Sequence, residues 1–314
     1  MRPIQAIELR ALGPEDKFEF AEMFYSAFNG WYWRHGWAAD YFSGGPATVE
    51  VFFTINDQLD PGCGIVAVNP GSGRMMGGCF YHPRARHVSI GSLIVHPNYF
   101  GRGVGKALLR HIVDDADRAG YSTLRMLSST FNIDGFSLSN RAGFTPRCGY
   151  HGMAIPVPLR GIEERTAGME RVREATAADI PAIAALEMEM SGISREPDYR
   201  YAIEQRQEGM FVAVLEGKGG GLDGYMVFLK RGALSLLGPG VARTAHDAAS
   251  LLLVVLDRFK GLAPMVLAPM AGDALVTRLY HWGARNIEIH MQQVRGVFQP
   301  CAGVNFPGLL PETG

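Results

Sequence analysis

The sequence predicts an α/β protein built from two related units in tandem, and three observations carry that prediction. An apolar run, Leu93 to Val95, passes through a glycine-rich loop, Gly101 to Lys106, directly onto a helical pattern. Residues 9–21 can be laid without a gap on residues 172–184, with Arg10 falling on Arg173 and Asp16 on Asp179. The stretch between the two copies, Pro156 to Gly168, is rich in Pro, Gly and charge and reads as a linker.

Each copy opens as a short strand, a turn and an amphipathic helix. In the first copy the loop after Val95 places bare backbone N–H groups and a helix N-terminus at one point, a ready site for an anion. Gly103 and Gly105 lack a Cβ, so a phosphate can approach the backbone, and Lys106 adds positive charge in the first helical turn. Val104, Leu108, Ile112 and Ala116 continue the helix at helical spacing, and Gly120 ends it. Leu108 stands where a dinucleotide fingerprint needs its third glycine, and Ala107 where a nucleotide-binding Gly-Lys loop needs Ser or Thr, so both those readings fall.

Phe100-x-x-Gly103-x-Gly105 after Val95-His96-Pro97 resembles the phosphate loop of the GNAT superfamily of N-acetyltransferases, with Phe100 in place of the family's Gln or Arg. Asn132-x-x-Gly135-x-x-x-Ser139-x-x-x-Gly143-Phe144 is similar to the family's second signature and follows in the expected order. The resemblance covers residues 1–160. It implies, for each unit, a central twisted, mostly antiparallel mixed sheet flanked by helices. It implies acetyl-coenzyme A as co-substrate, its pyrophosphate on Gly101, Arg102, Gly103, Val104, Gly105 and Lys106. The pantetheine arm would pair with the backbone of Leu93, Ile94 and Val95, and Asn132 would reach the same arm.

In the second unit strands are expected at 211–215 and 223–229, joined by a turn at Gly217 to Gly221. A further run at Leu234 to Leu237 and a helix through Leu252 and Leu256 follow, and Tyr280 to Gly283 echoes the turn at Arg141 to Gly143. Ala242 to Asp247 contains no glycine, and Asp247 would repel a pyrophosphate. Residues 1–160 are therefore expected to form a GNAT domain with an intact cofactor motif. Residues 161–314 are expected to form a degenerate GNAT-like domain.

The chain has 314 residues, 47% of them hydrophobic, with a formal net charge of −1, which suits a globular core and gives no bulk attraction for nucleic acid. Its four cysteines, Cys63, Cys79, Cys148 and Cys301, have neither metal spacing nor a disulfide pattern and read as reduced thiols of a cytoplasmic protein. Met1 to Ile4 lacks the apolar run of a secretory leader, and Leu251 to Leu256 is too short to span a bilayer. No metal and no membrane partner is expected, and monomer and homodimer both stay open.

The family's usual proton donor is a tyrosine where this chain has Ser139, which reads more simply as a surface helix residue. Tyr150 or Tyr121 could substitute. The family's usual base is a glutamate on the strand before the loop. The stretch His87 to Ser92 has no carboxylate, leaving His87, and less so His96, as titratable groups. Trp31, Trp33 and Trp37, three of the chain's four tryptophans, lie where the family covers its acceptor. They would suit a flat, apolar or cationic small-molecule amine, or would pin the two units together. The apolar tail, Gly303 to Gly314, is expected to pack against the first unit's acceptor face. The leading reading is an acetyl-coenzyme A-dependent N-acyltransferase with a working first unit. The alternatives are a non-catalytic acyl-coenzyme A sensor and a purely structural tandem.

Overall fold

The computed structural model describes residues 6–204, 209–231, 234–310 and 312–313. Met1 to Ile4, read above for a leader, and Pro311 and Gly314 of the tail lie outside the described residues. The first half runs β1 (Glu8–Ala11), α1 (Lys17–Arg34), α2 (Glu50–Leu59), β2 (Gly64–Val68), β3 (Met75–Pro83), β4 (Val88–Val95), α3 (Val104–Arg118), β5 (Thr123–Ser129), α4 (Ile133–Arg141) and β6 (Thr145–Ala154). The second half repeats that order. It runs β7 (Val172–Glu174), α5 (Ile180–Ser191), α6 (Glu196–Glu204), β8 (Met210–Glu216), β9 (Leu222–Arg231), β10 (Leu234–Ala242), α7 (Ala245–Leu256), β11 (Met265–Pro269), α8 (Asp273–His281) and β12 (Arg285–Gly296), and then adds β13 (Val304–Phe306).

The internal repeat has a physical basis. Arg10 donates both guanidinium arms to Asp16, at 2.7 and 2.8 Å, and Arg173 does the same to Asp179, at 2.8 and 2.7 Å. Asp16 also accepts from the N–H of Gly13, and Asp179 from that of Thr176. One fork in each copy thus ties the first strand to the start of the first helix. The helices after the last loops end alike, with Gly143 and Gly283 both at φ 87°.

Among the described residues all the strands join one mixed sheet, in the order β1-β2-β3-β4-β5-β12-β6-β11-β10-β9-β8-β7, with β13 added against β10. Only β4–β5 and β10–β11 are parallel, one such pair in each half. The halves exchange their last full strands. β12, from the second half, lies between β5 and β6, while β6, from the first, pairs with β11. On one face the helices α1, α2, α5 and α6 share a continuous apolar core that includes Phe20, Phe24, Ile183 and Tyr225. On the other face α3 and α7 cover separate cores. Arg84, buried, binds Asp60 of its own half and Asp198 of the other, an ionic pin across the two halves.

The tail reaches the first half, as its apolarity requires. Leu309 packs against the cluster of Leu127 and Tyr150, Leu310 enters the shared core, and Glu312 lies directly over Gly91 of β4. A Cβ on Gly91 would stand 2.4 Å from that of Glu312, so only glycine fits there. Buried Arg195 holds this turn by donating to the carbonyl of Thr313 at 3.0 Å, while Glu187 neutralises it.

Candidate functional site

The site begins where β4 and β5 part. Their parallel ladder runs only through Val88–Leu124, Ser89–Arg125 and Ile90–Met126. Beyond it the strands splay, and β4 bulges against β3 between the pairs Gly78–Ile94 and Phe80–Gly91. Among the described residues the β5-facing edge of Leu93, Ile94 and Val95 has no strand neighbour, and an unpaired edge needs a partner.

The glycine loop lies at the top of the splay. Gly101 and Gly103 have φ of 71° and 85°, and nothing stands within 4 Å of a Cβ built on either. Gly103 is the N-cap of α3 and offers no side chain to its first-turn N–H groups. Gly105 is also needed for packing. A Cβ there would meet Leu138 at 3.2 Å and Val95 at 3.5 Å, so this glycine lets α3 pack close to α4 and β4. Beside the loop, Gly103, Lys106, Ala107, Arg110 and His111 line an open depression of about 410 Å³. Phe100, in the place of a polar residue, carries the Arg34 guanidinium 5.4 Å over its ring and the edge of Trp31 at 6.1 Å, which fastens the end of α1 to the loop. Asn132 is the N-cap of α4, its Oδ1 accepting from the N–H of Gly135 at 2.9 Å, and its amide NH₂ has no partner among the described residues.

At the end of β5 stands a carboxyl group that the sequence reading missed. Glu288, on β12, accepts hydrogen bonds from Tyr32 Oη at 2.8 Å, Tyr41 Oη at 3.0 Å and Ser129 Oγ. Its side chain is 5% exposed, and no lysine or arginine pairs with it among the described residues. His290, the nearest basic group, stands 3.8 Å away, with burial pushing its pKa down. Tyr32 stacks on Tyr41 at 4.3 Å and on Phe131 at 5.7 Å, and Trp37 closes edge-on against Tyr32 at 4.8 Å. Burial and the neighbouring Glu288 raise the pKa of both tyrosines well above the ordinary phenol value, so both stay protonated donors. A carboxyl group offers about four lone-pair sites, and the three hydroxyls leave one open. Glu288 was missed because its strand belongs to the second half. The visible signal is an acid amid apolar residues in Ile287-Glu288-Ile289, but only the exchange of strands brings it to Ser129.

Trp37 joins the wall around Glu288, Trp31 stacks on His35 beside the glycine loop at 4.1 Å, and Trp33 is 53% exposed. Ser139 is not a surface residue. It is fully buried and donates to Gln293 of β12 at 2.7 Å, because the exchanged strand covers α4 there. Tyr150 is buried and accepts from Asn305 at 3.0 Å, with burial pushing its pKa up. His87 is buried with neither ring nitrogen hydrogen-bonded, and burial together with Arg125, Arg195 and Arg84 pushes its pKa well down. His96 caps its own loop by accepting from the N–H of Asn98.

The corresponding place in the second half is filled. The parallel ladder of β10 and β11 is also short, Leu236–Met265 and Leu237–Val266, but β13 pairs with β10 at Gly240–Phe306, Val241–Asn305 and Ala242–Val304. A strand of the chain itself therefore lies along the β10 edge just beyond that ladder. The start of α7 is closed as well, with Thr244 accepting from the N–H of Asp247 and Asp247 facing it.

A profile described as Acetyltransferase (GNAT) family matches residues 22–141. The UPF0157 protein YqkA of Bacillus subtilis (strain 168) is 30% identical over 73 residues, which are 23% of this chain and 21% of that protein, so the match spans about a fifth of the relative's length. A Pyrococcus horikoshii protein assigned as an acetyltransferase superposes with a TM-score of 0.76 at 16% identity, over 99% of this chain and 96% of that one. A GCN5-related N-acetyltransferase of Sphaerobacter thermophilus gives 0.61 at 18% identity over 98% of both chains. A tandem GNAT protein from the clavulanic acid biosynthesis pathway gives 0.59 at 17% identity, over 93% of this chain and 98% of its own. No helix among the described residues is long and apolar enough to cross a membrane. Residues 22–141 thus match the GNAT acetyltransferase family profile, and along its length the chain has the fold of a tandem GNAT protein.

Proposed function

We propose that the chain is an acetyl-coenzyme A-dependent N-acyltransferase of the cytoplasm with one working site, in the unit of residues 1–160. The carrying observation is the contrast between the two splays. The first has an unpaired strand edge below an uncapped helix N-terminus, and the second is plugged by β13 and capped by Thr244. Leu93 to Val95 would pair with the pantetheine arm, and the N–H groups at Gly103 to Lys106 would face the pyrophosphate, with Lys106 and Arg110 beside it. Asn132 has its amide NH₂ free for the same arm.

Acetyl-coenzyme A supplies an activated thioester carbonyl. An acceptor amine in the space before Tyr32, Tyr41 and Trp37 attacks that carbonyl as the free base. The C–N bond forms, the C–S bond breaks with its electron pair on sulfur, and the amine's surplus proton goes to the open lone pair of Glu288. Holding the two reactants together supplies much of the rate, and a positioned base adds about a hundredfold or more. Glu288 takes the part that the sequence left to His87, whose depressed pKa and sealed position make it a poor acceptor site.

Calorimetry with acetyl-coenzyme A tests the one-site reading. One site per chain is expected, and Gly103→Asp, which puts a charge and a strained φ in the loop, should abolish it. Two equal sites, or unchanged binding in that variant, would contradict the proposal. Release of free thiol with a panel of primary amines then separates an enzyme from a silent acyl-coenzyme A binder.

A further inference from the structure

At the closed end of the splay lies a buried group of hydrogen-bond donors that the transfer step does not use. Arg125, on β5, is 3% exposed, forms no ion pair or hydrogen bond among the described residues, and has its Nε unpartnered. Ser89, its partner across the last rungs of the parallel ladder, has a buried hydroxyl with no partner. Gln292, on β12 opposite Leu127, has a buried, unpartnered amide nitrogen, and His87 has two unpartnered ring nitrogens. Registered neighbours project to the same face of a sheet, so Ser89, Arg125 and Gln292 face one region beneath the tail. Arg195 and Arg84, the nearby arginines, are already matched by Glu187 and by Asp60 and Asp198. Burial and the repulsion of Arg195 pull the Arg125 pKa down to about 10, still charged at neutral pH.

A guanidinium taken out of water without an anion is costly, and buried donors without acceptors add to the cost. Ordered water would satisfy the donors but would not balance the charge. Arg125 brings a positive charge that no carboxylate pairs with among the described residues, and Ser89 and Gln292 bring further unused donors, a set that an anion would satisfy.

We infer that Arg125, with Ser89 and Gln292, forms a subsite for a carboxylate, and that one of the two substrates carries that carboxylate on its reacting side. The inference rests on the reading of the splay as the donor cleft, because the splay leads down to the last ladder pair, Ile90–Met126, next to Arg125. The carboxylate has two possible carriers. It is the far end of a dicarboxylic acyl group on coenzyme A, or it belongs to an amino-acid acceptor.

The test uses the full chain and Arg125→Met, which keeps the volume and removes the charge. Calorimetry compares succinyl-coenzyme A with butyryl-coenzyme A. A competition series compares amino acids with the matching decarboxylated amines. In the wild type one of these carboxylates should bind about tenfold or more tighter than its neutral counterpart, and Arg125→Met should erase that preference while binding acetyl-coenzyme A as before. A preference in the first series names the donor as the carrier, and in the second the acceptor. Succinate alone should raise the melting temperature of the wild type but not of Arg125→Met, a readout that stands even if coenzyme A does not bind. Should Arg125→Met fail to fold, Ser89→Ala and Gln292→Leu must each weaken the preference. Absence of any carboxylate preference or succinate effect in the wild type, or their survival in the variants, overturns the inference.

Discussion

Ser129 and Glu288 are 159 positions apart in the chain, yet the Ser129 hydroxyl donates directly to the Glu288 carboxyl group. The contact exists because β12 of the second half inserts beside β5 of the first, with His290 opposite Ser129. The second half therefore does two things for the first. It stops its own cleft with β13, and it delivers an acid to its neighbour's.

Ser139→Ala should leave turnover within about tenfold of wild type, because a hydroxyl committed to Gln293 is no proton donor to a thiolate. It should instead cost about 1–3 kcal/mol of stability, since the buried Gln293 oxygen loses its donor. Steady-state rates and denaturant melts on one preparation check both. A collapse of turnover with intact folding would return Ser139 to the catalytic step.

Trp33→Ala and Trp37→Ala should separate. Trp33, more than half exposed, should change neither stability nor the acceptor KM. Trp37 packs on Tyr32 and Phe131, so its loss should raise the acceptor KM and leave acetyl-coenzyme A affinity unchanged. Equal effects from the two substitutions would remove Trp37 from the acceptor wall.

The Arg173–Asp179 fork gives a pH signature. The Arg173 hydrogen bonds hold the Asp179 carboxyl at about 2, below the unfolded value of about 3.9. A depressed folded pKa contributes stability that is complete above the unfolded value and vanishes as pH falls through the folded one. The melting-temperature gap between wild type and Arg173→Met should therefore be constant above about pH 5 and close between about pH 4 and 2. The gap should be small, because Arg173 is 42% exposed. A gap that persists unchanged at pH 2 would mean the fork contributes nothing through charge.

The repeat, the glycine loop and the second signature were legible because they are local. Arg10 and Asp16 sit six residues apart and mark their fork in each copy, and Gly103 shows its need for a positive φ by being glycine. The helix over Val104–Arg118 and the strands β8 and β9 follow from periodicity and turn chemistry. The exchange of β6 and β12 was not legible, since both strands read the same whichever neighbour they pair with. Everything that depends on the exchange was hidden with it, including Glu288 in the site, Ser139 under Gln293 and the donors around Arg125. Gly105 was legible as a close approach, but sequence could not say that Leu138 makes one.

The most direct test of the account is the rate of acetyl transfer in Glu288→Gln, read as free thiol released with an amine acceptor identified in the panel. Glutamine keeps the volume of the side chain and one carbonyl acceptor but cannot take up the amine's proton. The account predicts a kcat lowered by about a hundredfold or more with acetyl-coenzyme A affinity and melting temperature close to wild type. A kcat within a few-fold of wild type, with folding and cofactor binding intact, would contradict it.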